Sequence, residues 1–271
     1  MEARDTALPL LPDQRVADPA SFAGVVIEGV SKRFGSKQVL DGTDLLIRKG
    51  ETLVIIRRSG EGKSVLLKNI VRLLEPDAGR IWIEGQEVTG LNQRDLMNLR
   101  KKFGFLFQGA ALFDSMTVCK NVGLMLEEHT DLSAEQIRSR ACECLALVGL
   151  DNVDDKLPSA LSGGMKKRAG LARAIVMEPE YILYDEPTTG LDPITGDAIN
   201  DLIVKLQKEL GVTSIVVTHD MPSAFKIADR MAMLARGRIQ FTGTVEEVRT
   251  TDHPMVRQFI EGNATGPLGA F

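Results

Sequence analysis

The sequence predicts an α/β domain, with a parallel sheet covered by helices on both faces. Three observations carry this. Thr52-Leu53-Val54-Ile55-Ile56, Tyr181-Ile182-Leu183-Tyr184 and Ser214-Ile215-Val216-Val217 are apolar runs of strand length, and unbroken apolarity suits strands buried on two faces. Stretches with apolar residues at helical spacing alternate with them. The first run ends in a glycine-rich turn that opens such a helix.

Residues 1–22 are rich in Pro, Asp and Ala without periodicity, and read as a loose arm. Ordered sequence begins with the strand pattern Val25-Val26-Ile27. The helix after the glycine-rich turn is carried by Val65-Leu66-Leu67, Ile70-Val71 and Leu73-Leu74, until Pro76-Asp77-Ala78-Gly79 breaks it. Arg80-Ile81-Trp82-Ile83-Glu84 alternates as a strand, and Gly85 closes it. Ser133 and Gln136 have capping-box spacing, ahead of a helix with Ile137, Ala141, Leu145 and Val148 on one face and Gly149 at its C-cap. Met231-Ala232-Met233-Leu234 and Ile239-Gln240-Phe241 flank Arg236-Gly237 as a hairpin. A helical insertion is expected near 110–170, and no internal repeat is visible.

At about 150 residues per domain, 271 residues allow one large domain or two small ones. Apolar residues make up 44% and charged residues 26%, which argues against disorder, collagen and a coiled coil. The net charge of −4 gives no global reason to expect nucleic-acid binding. No run approaches the ~20 apolar residues of a membrane helix. The cluster Ala7-Leu8-Pro9-Leu10-Leu11-Pro12 is too short and Pro-broken for a signal peptide. Cys142 and Cys144 diverge on a predicted helix, and Cys119 stands alone. They read as buried or inert thiols of a reduced, cytosolic, soluble protein, with metal or redox use as the alternative.

The turn after the first strand is Arg57-Arg58-Ser59-Gly60-Glu61-Gly62-Lys63-Ser64. Gly62, Lys63 and Ser64 fit the end of the phosphate-loop pattern, in its strand–turn–helix context. Small residues such as Ser59 and Gly60 let backbone N–H groups curl around phosphate oxygens. Lys63 would neutralise the β- and γ-phosphates, and Ser64 would hold Mg²⁺. The pattern's first glycine is missing, and Arg57 stands there. An arginine fits that bend only if the backbone angles are ordinary ones. A solvated glycine-rich turn is the bland alternative.

A second motif is independent of the first. The run Tyr181–Tyr184 ends in Asp185-Glu186. An Asp at a strand's C-terminal edge can reach Mg²⁺, and the next carboxylate can polarise an attacking water. Two acids after an apolar strand also fit a surface turn.

Leu161-Ser162-Gly163-Gly164-Met165-Lys166-Lys167-Arg168 resembles the signature sequence of the ATP-binding-cassette (ABC) ATPases. The resemblance covers roughly residues 25–245 and implies a P-loop NTPase fold, with a RecA-like core, an antiparallel β subdomain and a helical subdomain. It implies an ATPase domain over 23–250, with the helical subdomain at about 110–170 and a tail over 251–271. Ser162, Gly163 and Gly164 would form a nest for the γ-phosphate bound to the other copy of a homodimer. Phe34 stands where the family stacks an aromatic on adenine, with Lys32 and Arg33 beside it. Gln108, after Phe105-Leu106-Phe107, matches the glutamine that contacts Mg²⁺ or water and moves with the membrane partner. Asp192, in Thr189-Gly190-Leu191-Asp192, matches the loop that crosses the dimer interface. His219 matches the switch histidine. The implied cofactors are ATP and Mg²⁺, with Ser64, Gln108 and Asp185 on the metal and Glu186, His219 and Gln108 in catalysis. The alternative is an ATP-gated regulatory module that hydrolyses poorly because of Arg57.

A narrower resemblance rests on Phe107-Gln108-Gly109-Ala110-Ala111-Leu112-Phe113, on Met165–Arg168, on Val256-Arg257-Gln258-Phe259-Ile260-Glu261-Gly262 and on the tail Gly266-Pro267-Leu268. These resemble the ATPase subunit of Mla-type (maintenance of lipid asymmetry) transporters. That implies a phospholipid or other hydrophobic substrate, an integral membrane permease gripped between Gln108 and Val122, and an MCE-domain lipid-binding protein. It also implies a place on the cytoplasmic face of the inner membrane. As an alternative, the segment after Val256 is a helix docking on its own domain.

Overall fold

The computed structural model describes residues 16–57 and 64–269. In chain order its strands are β1 (Gly24–Phe34), β2 (Lys37–Arg48), β3 (Thr52–Ile56), β4 (Ala78–Ile83), β5 (Gln86–Glu87), β6 (Phe103–Leu106), β7 (Tyr181–Asp185), β8 (Thr213–Thr218), β9 (Arg230–Ala235) and β10 (Arg238–Thr244). The helices are α1 (Val65–Ile70), α2 (Gln93–Arg100), α3 (Val118–His129), α4 (Ala134–Leu147), α5 (Gly163–Ile175), α6 (Pro193–Leu210), α7 (Met221–Ile227), α8 (Val245–Thr250) and α9 (Pro254–Glu261).

Two sheets result. One is antiparallel, in the order β2-β1-β4-β5. The other runs β10-β9-β3-β8-β7-β6 and is parallel throughout except for β10. The apolar runs of β3, β7 and β8 supply alternate residues to two cores. Leu53, Ile55, Leu183 and Ile215 face the antiparallel sheet with α1 and α2. Val54, Ile56, Ile182 and Val216 face α3 to α7. Burial on both faces is what the unbroken apolarity encodes.

The hairpin over Arg236-Gly237 joins β9 to β10, with φ of 52° and 74° at those two residues. The Gly237 carbonyl accepts from Asp41 N (2.8 Å) and Thr43 Oγ1 (2.7 Å), which ties the two sheets together. Ser133 and Gln136 make the capping box of α4, and Gly149 follows its end in a left-handed conformation. Within the stretch read as a loose arm, Pro19–Ser21 forms one 3-10 turn capped by Asp18.

Two elements differ from expectation. β1 extends to Phe34, well beyond the apolar triplet. α1 stops at Ile70, although the pattern predicts a helix to Leu74. The chain leaves the helix at Arg72, with Leu74 N donating back to Lys68 O (3.1 Å), and Arg100 then satisfies carbonyls past that turn, donating to Val71 O (2.9 Å) and Arg72 O (2.7 Å). Arg72 is left-handed and donates to Val88 O and Leu91 O. These tertiary hydrogen bonds outweigh the local periodicity. The C-terminal segment is a helix docked on its own domain. Val256 and Gln258 of α9 are buried, and Phe259, Ile260 and Leu268 pack on the main core. Cys119 and Cys144 are buried and Cys142 is partly so, all as free thiols.

The N-terminal ends of the parallel strands are locked by polar contacts. Arg230 donates to both Glu51 oxygens at 3.0 and 3.1 Å, with both side chains buried. Asp229 accepts from Thr52 N (2.8 Å). Breaking one side of a buried pair strands the other charge, typically at about 3–5 kcal/mol. We therefore expect Glu51→Gln to lower the unfolding free energy by about 2–4 kcal/mol in urea titrations.

Candidate functional site

Parallel register brings the strand ends to one edge. Ile56 is level with Thr218, Asp185 with Val217, and Leu106 with Tyr184. The residues that follow, Arg57, Gln108, Glu186 and His219, therefore emerge together at the C-terminal edge, where open α/β sheets bind ligands. Ser59, Gly60, Gly62 and Lys63 lie outside the described residues. Ser64, at the start of α1, is left-handed with φ of 64°. Arg57 is buried and is not among the positive-φ residues, so the backbone strain that a missing glycine would cause does not arise there.

The Ser64 hydroxyl donates to Asp185 Oδ2. Asp185 is buried, and its Oδ1 has no hydrogen-bond partner among the described residues. One residue on, Glu186 is 1% exposed. His219 Nδ1 lies 2.8 and 3.0 Å from its two carboxylate oxygens, and Thr189 Oγ1 donates to Oε2 at 2.9 Å. The His219 side chain itself remains 44% exposed. Glu186 is left-handed, with φ of 52°, and its N–H donates to Val217 O (2.9 Å). Such strain in a non-glycine residue concentrates at functional sites. The surface-turn reading of Asp185-Glu186 does not hold, since both side chains are buried.

Gln108 follows β6, is half-buried, and makes no hydrogen bond to Ser64 or Asp185 among the described residues. Ala110 and Ala111, just beyond it, are both left-handed, with φ of 61° and 51°. Arg173 of α5 donates to both of their carbonyls, at 2.7 and 2.6 Å. Burial holds the Arg173 guanidinium below its ordinary pKa. Phe34 is 47% exposed, so it is not a core side chain, and Lys32 Nζ sits 5.8 Å from its ring centroid.

Ser162 caps α5, its Oγ accepting from Met165 N at 3.3 Å. Ser162 and Gly163 are exposed, and among the described residues no hydrogen bond joins Ser162 to Ser64, Asp185 or Glu186. Gly164 is buried because the start of α6 lies over it. A Cβ there would come within 2.4 Å of Thr195 Cγ2. Asp192 caps α6, its Oδ1 accepting from Ile194 N (3.1 Å) and Thr195 N (3.0 Å). Two helix N-termini thus meet at one surface, and each concentrates positive partial charge.

Sequence reasoning missed Lys167, Thr189 and Arg173. Lys167 is buried on α5 and donates to the Glu186 carbonyl at 3.0 Å. Burial pushes its ammonium down to about 8, while the Asp185 and Glu186 carboxylates pull the other way. Its signal was available. Gly164, Lys167, Leu171 and Ala174 share the buried helical face, where a lysine is out of place.

Residues 40–189 match the ABC transporter family. Similar relatives include a probable ribonucleotide transport ATP-binding protein of Mycobacterium tuberculosis, 42% identical over 91% of this chain and 69% of its own length. Another is the chloroplastic protein trigalactosyldiacylglycerol 3 of Arabidopsis thaliana, 42% identical over 88% of this chain and 74% of its own. A third is the intermembrane phospholipid transport system ATP-binding protein of Escherichia coli, 40% identical over 92% and 93%. Among solved structures, a dimeric ATP-binding cassette in a post-hydrolysis state bound to ADP and Pi matches with a TM-score of 0.75. It is 34% identical and covers 82% of this chain and 98% of its own.

The Asp192 carboxyl is held below its ordinary pKa of 3.8, first by the Thr195 side chain and then by backbone N–H groups. A folded-state pKa below the unfolded value contributes stability above the unfolded pKa, which is lost as pH falls through the folded one. Denaturant titrations of the parent and Asp192→Asn across pH should therefore differ most near neutrality. The difference should shrink as pH falls below about 3.8.

Proposed function

The chain belongs to the ABC transporter family as an ATP-binding and ATP-hydrolysing subunit, and from that premise we propose that two copies close head to tail over two ATP molecules to drive phospholipid or another hydrophobic substrate through a membrane permease. The observation that carries the catalytic part is the buried Glu186 carboxylate, held between His219 and Thr189 beside the Ser64–Asp185 pair.

The donor set suits Mg²⁺. A hydroxyl and a carboxylate offer hard oxygens, and Asp185 Oδ1 is a buried oxygen with no partner among the described residues. Ser64 and Asp185, with Gln108, would hold the ion, which would offset negative charge on the β- and γ-phosphates. Lys63, with Ser59, Gly60 and Gly62, would bind the phosphates, a role resting on their motif alone. Phe34 offers a π-face to adenine. Glu186 orients the attacking water and takes its proton. His219 fixes the direction of that carboxylate and stands ready for the γ-phosphate.

One chain supplies only half of such a site. Ser162, with Gly163 and Gly164 after it, caps the N-terminus of α5, and Asp192 caps that of α6. In a head-to-tail pair they would close over the partner copy's triphosphate. The similar dimeric cassette bound to ADP and Pi supports this arrangement.

The permease would dock beside Gln108. A cavity of about 430 Å³ lies between β6 and α3, lined by Phe103, Phe105, Phe107, Phe113 and Met125. Phe113 is half exposed, and Phe105 stacks on Phe107 at 4.0 Å between centroids. An apolar helix from a membrane subunit fits such a groove. No helix among the described residues is long and apolar enough to cross a membrane, so a separate permease would provide the path. The phospholipid substrate is supported by the Escherichia coli and Arabidopsis relatives, whose names carry lipid terms. An MCE-domain partner and the cytoplasmic face of the inner membrane follow from that reading. The hydrolysis-impaired alternative rested on Arg57 and finds no support in the comparisons.

Glu186→Gln should lower ATP turnover by about 10²–10⁴-fold and leave an ATP-bound dimer on gel filtration. Unchanged turnover, with the permease present, would remove the role assigned to Glu186. Affinity purification of the chain from solubilised membranes should bring down one integral protein, together with phospholipid identified by mass spectrometry. Recovery of a permease that carries only a polar solute would overturn the lipid reading.

A further inference from the structure

Lys167 is a buried ammonium whose hydrogen bond goes to a backbone carbonyl, that of Glu186, at 3.0 Å. A cation costs several kcal/mol to bury unless something compensates. Its setting is otherwise close-packed: Gly164, Gly170 and Leu171 share the buried face of α5. A methionine or leucine would fill such a position without that cost. The neighbouring Asp185 and Glu186 carboxylates offset part of that cost, and the ammonium's hydrogen bond shows what it holds, the Glu186 backbone.

Glu186 needs holding. Its left-handed backbone sets where its Cβ points, and hence where the carboxylate lies. Three contacts fix that backbone. The N–H donates to Val217 O (2.9 Å), and the carbonyl accepts from Thr189 N (3.3 Å) and Lys167 Nζ (3.0 Å). The first ties it to β8 and the second to its own turn. Lys167 alone ties it to α5, about 7–8 Å along the helix from the Ser162 cap at 1.5 Å per residue. Six residues further on, the same helix holds the Ala110 and Ala111 carbonyls through Arg173.

We propose that Lys167 is a positioning residue for ATP hydrolysis, clamping the Glu186 backbone so that its carboxylate stays aligned with the attacking water. This rests on the role proposed above for Glu186. The clamp also makes α5 a mechanical link. Whatever engages the exposed Ser162 cap moves the helix that holds Glu186.

The test uses the full chain co-purified with its permease. Lys167→Met removes the donor at similar volume, and Lys167→Gln keeps an N–H donor without the charge. We expect Lys167→Met to lower kcat about tenfold with the KM for ATP changed by less than about twofold, because alignment acts on the chemical step rather than on binding. Lys167→Gln should recover kcat to within about threefold of the parent. A Lys167→Met kcat within about twofold of the parent overturns the proposal, as does a Lys167→Gln kcat no higher than that of Lys167→Met. Should Lys167→Met fail to fold, Lys167→Leu takes its place as the donor-lacking variant under the same two criteria. Glu186→Gln is run in parallel. If it leaves turnover intact, the general-base role fails. If it abolishes turnover while Lys167→Met does not, only the clamp fails.

Discussion

Everything at this site depends on parallel strand register. β3, β8, β7 and β6 are aligned so that Ile56, Thr218, Tyr184 and Leu106 end near one level. The residues proposed to act emerge at or just past these ends, Asp185 and Glu186 from β7, Gln108 from β6 and His219 from β8, strands far apart in sequence. A one-residue slip would exchange the faces of a whole strand. Leu53 and Val54 would trade cores, and the partition between the two hydrophobic clusters would fail. The same apolar alternation that holds the fold together therefore sets the geometry of Ser64, Asp185, Glu186 and His219.

The second constraint is helix α5. Its N-terminus is exposed at Ser162, its buried face puts Lys167 on the Glu186 carbonyl, and its C-terminal half puts Arg173 on the turn after Gln108. One rigid element thus touches the surface proposed to meet a second copy, the backbone of Glu186, and the rim of the groove proposed for the permease. A change at any of the three has a direct mechanical path to the other two. Helices resist compression far more than loops do, so α5 can carry a displacement that the turns at its ends cannot.

The fold was largely legible from the sequence because both-face burial leaves an unbroken apolar run, as in Thr52–Ile56 and Tyr181–Tyr184. Capping by Ser133 and Gln136 was legible because it is a local side-chain pattern. The end of α1 was not. Arg72 turns left-handed there while its side chain reaches Val88 O and Leu91 O, 16 and 19 residues on, and no local rule carries those contacts. At the site, Asp185, Glu186 and His219 could be picked out by motif, but not the direct contact between Glu186 and His219, which are 33 residues apart. Lys167 was hidden differently. It stood in full view inside a basic triplet, Lys166-Lys167-Arg168, where a charge run suggests a solvated face. Only the helical period, counted from Gly164, separates the buried lysine from its partly exposed neighbours.

The two edges of the parallel sheet divide the work. At the N-terminal edge the contacts are well paired and unstrained: Arg230 with Glu51, Asp229 with Thr52 N, and Thr213 Oγ1 with Gly50 N at 2.9 Å. At the C-terminal edge Ser64, Ala110, Ala111 and Glu186 all hold left-handed backbones without being glycine. Each such residue costs on the order of 1–3 kcal/mol unless its side chain relieves the strain. That cost is sustained only because the surroundings over-determine the conformation, through Arg173 on Ala110 and Ala111 and through Lys167 on Glu186. Buried Lys167 and half-buried Arg173 are therefore not decorations of the core. They are the counterpart of the strain, and stability gathered at one edge of the sheet permits strained, aligned chemistry at the other.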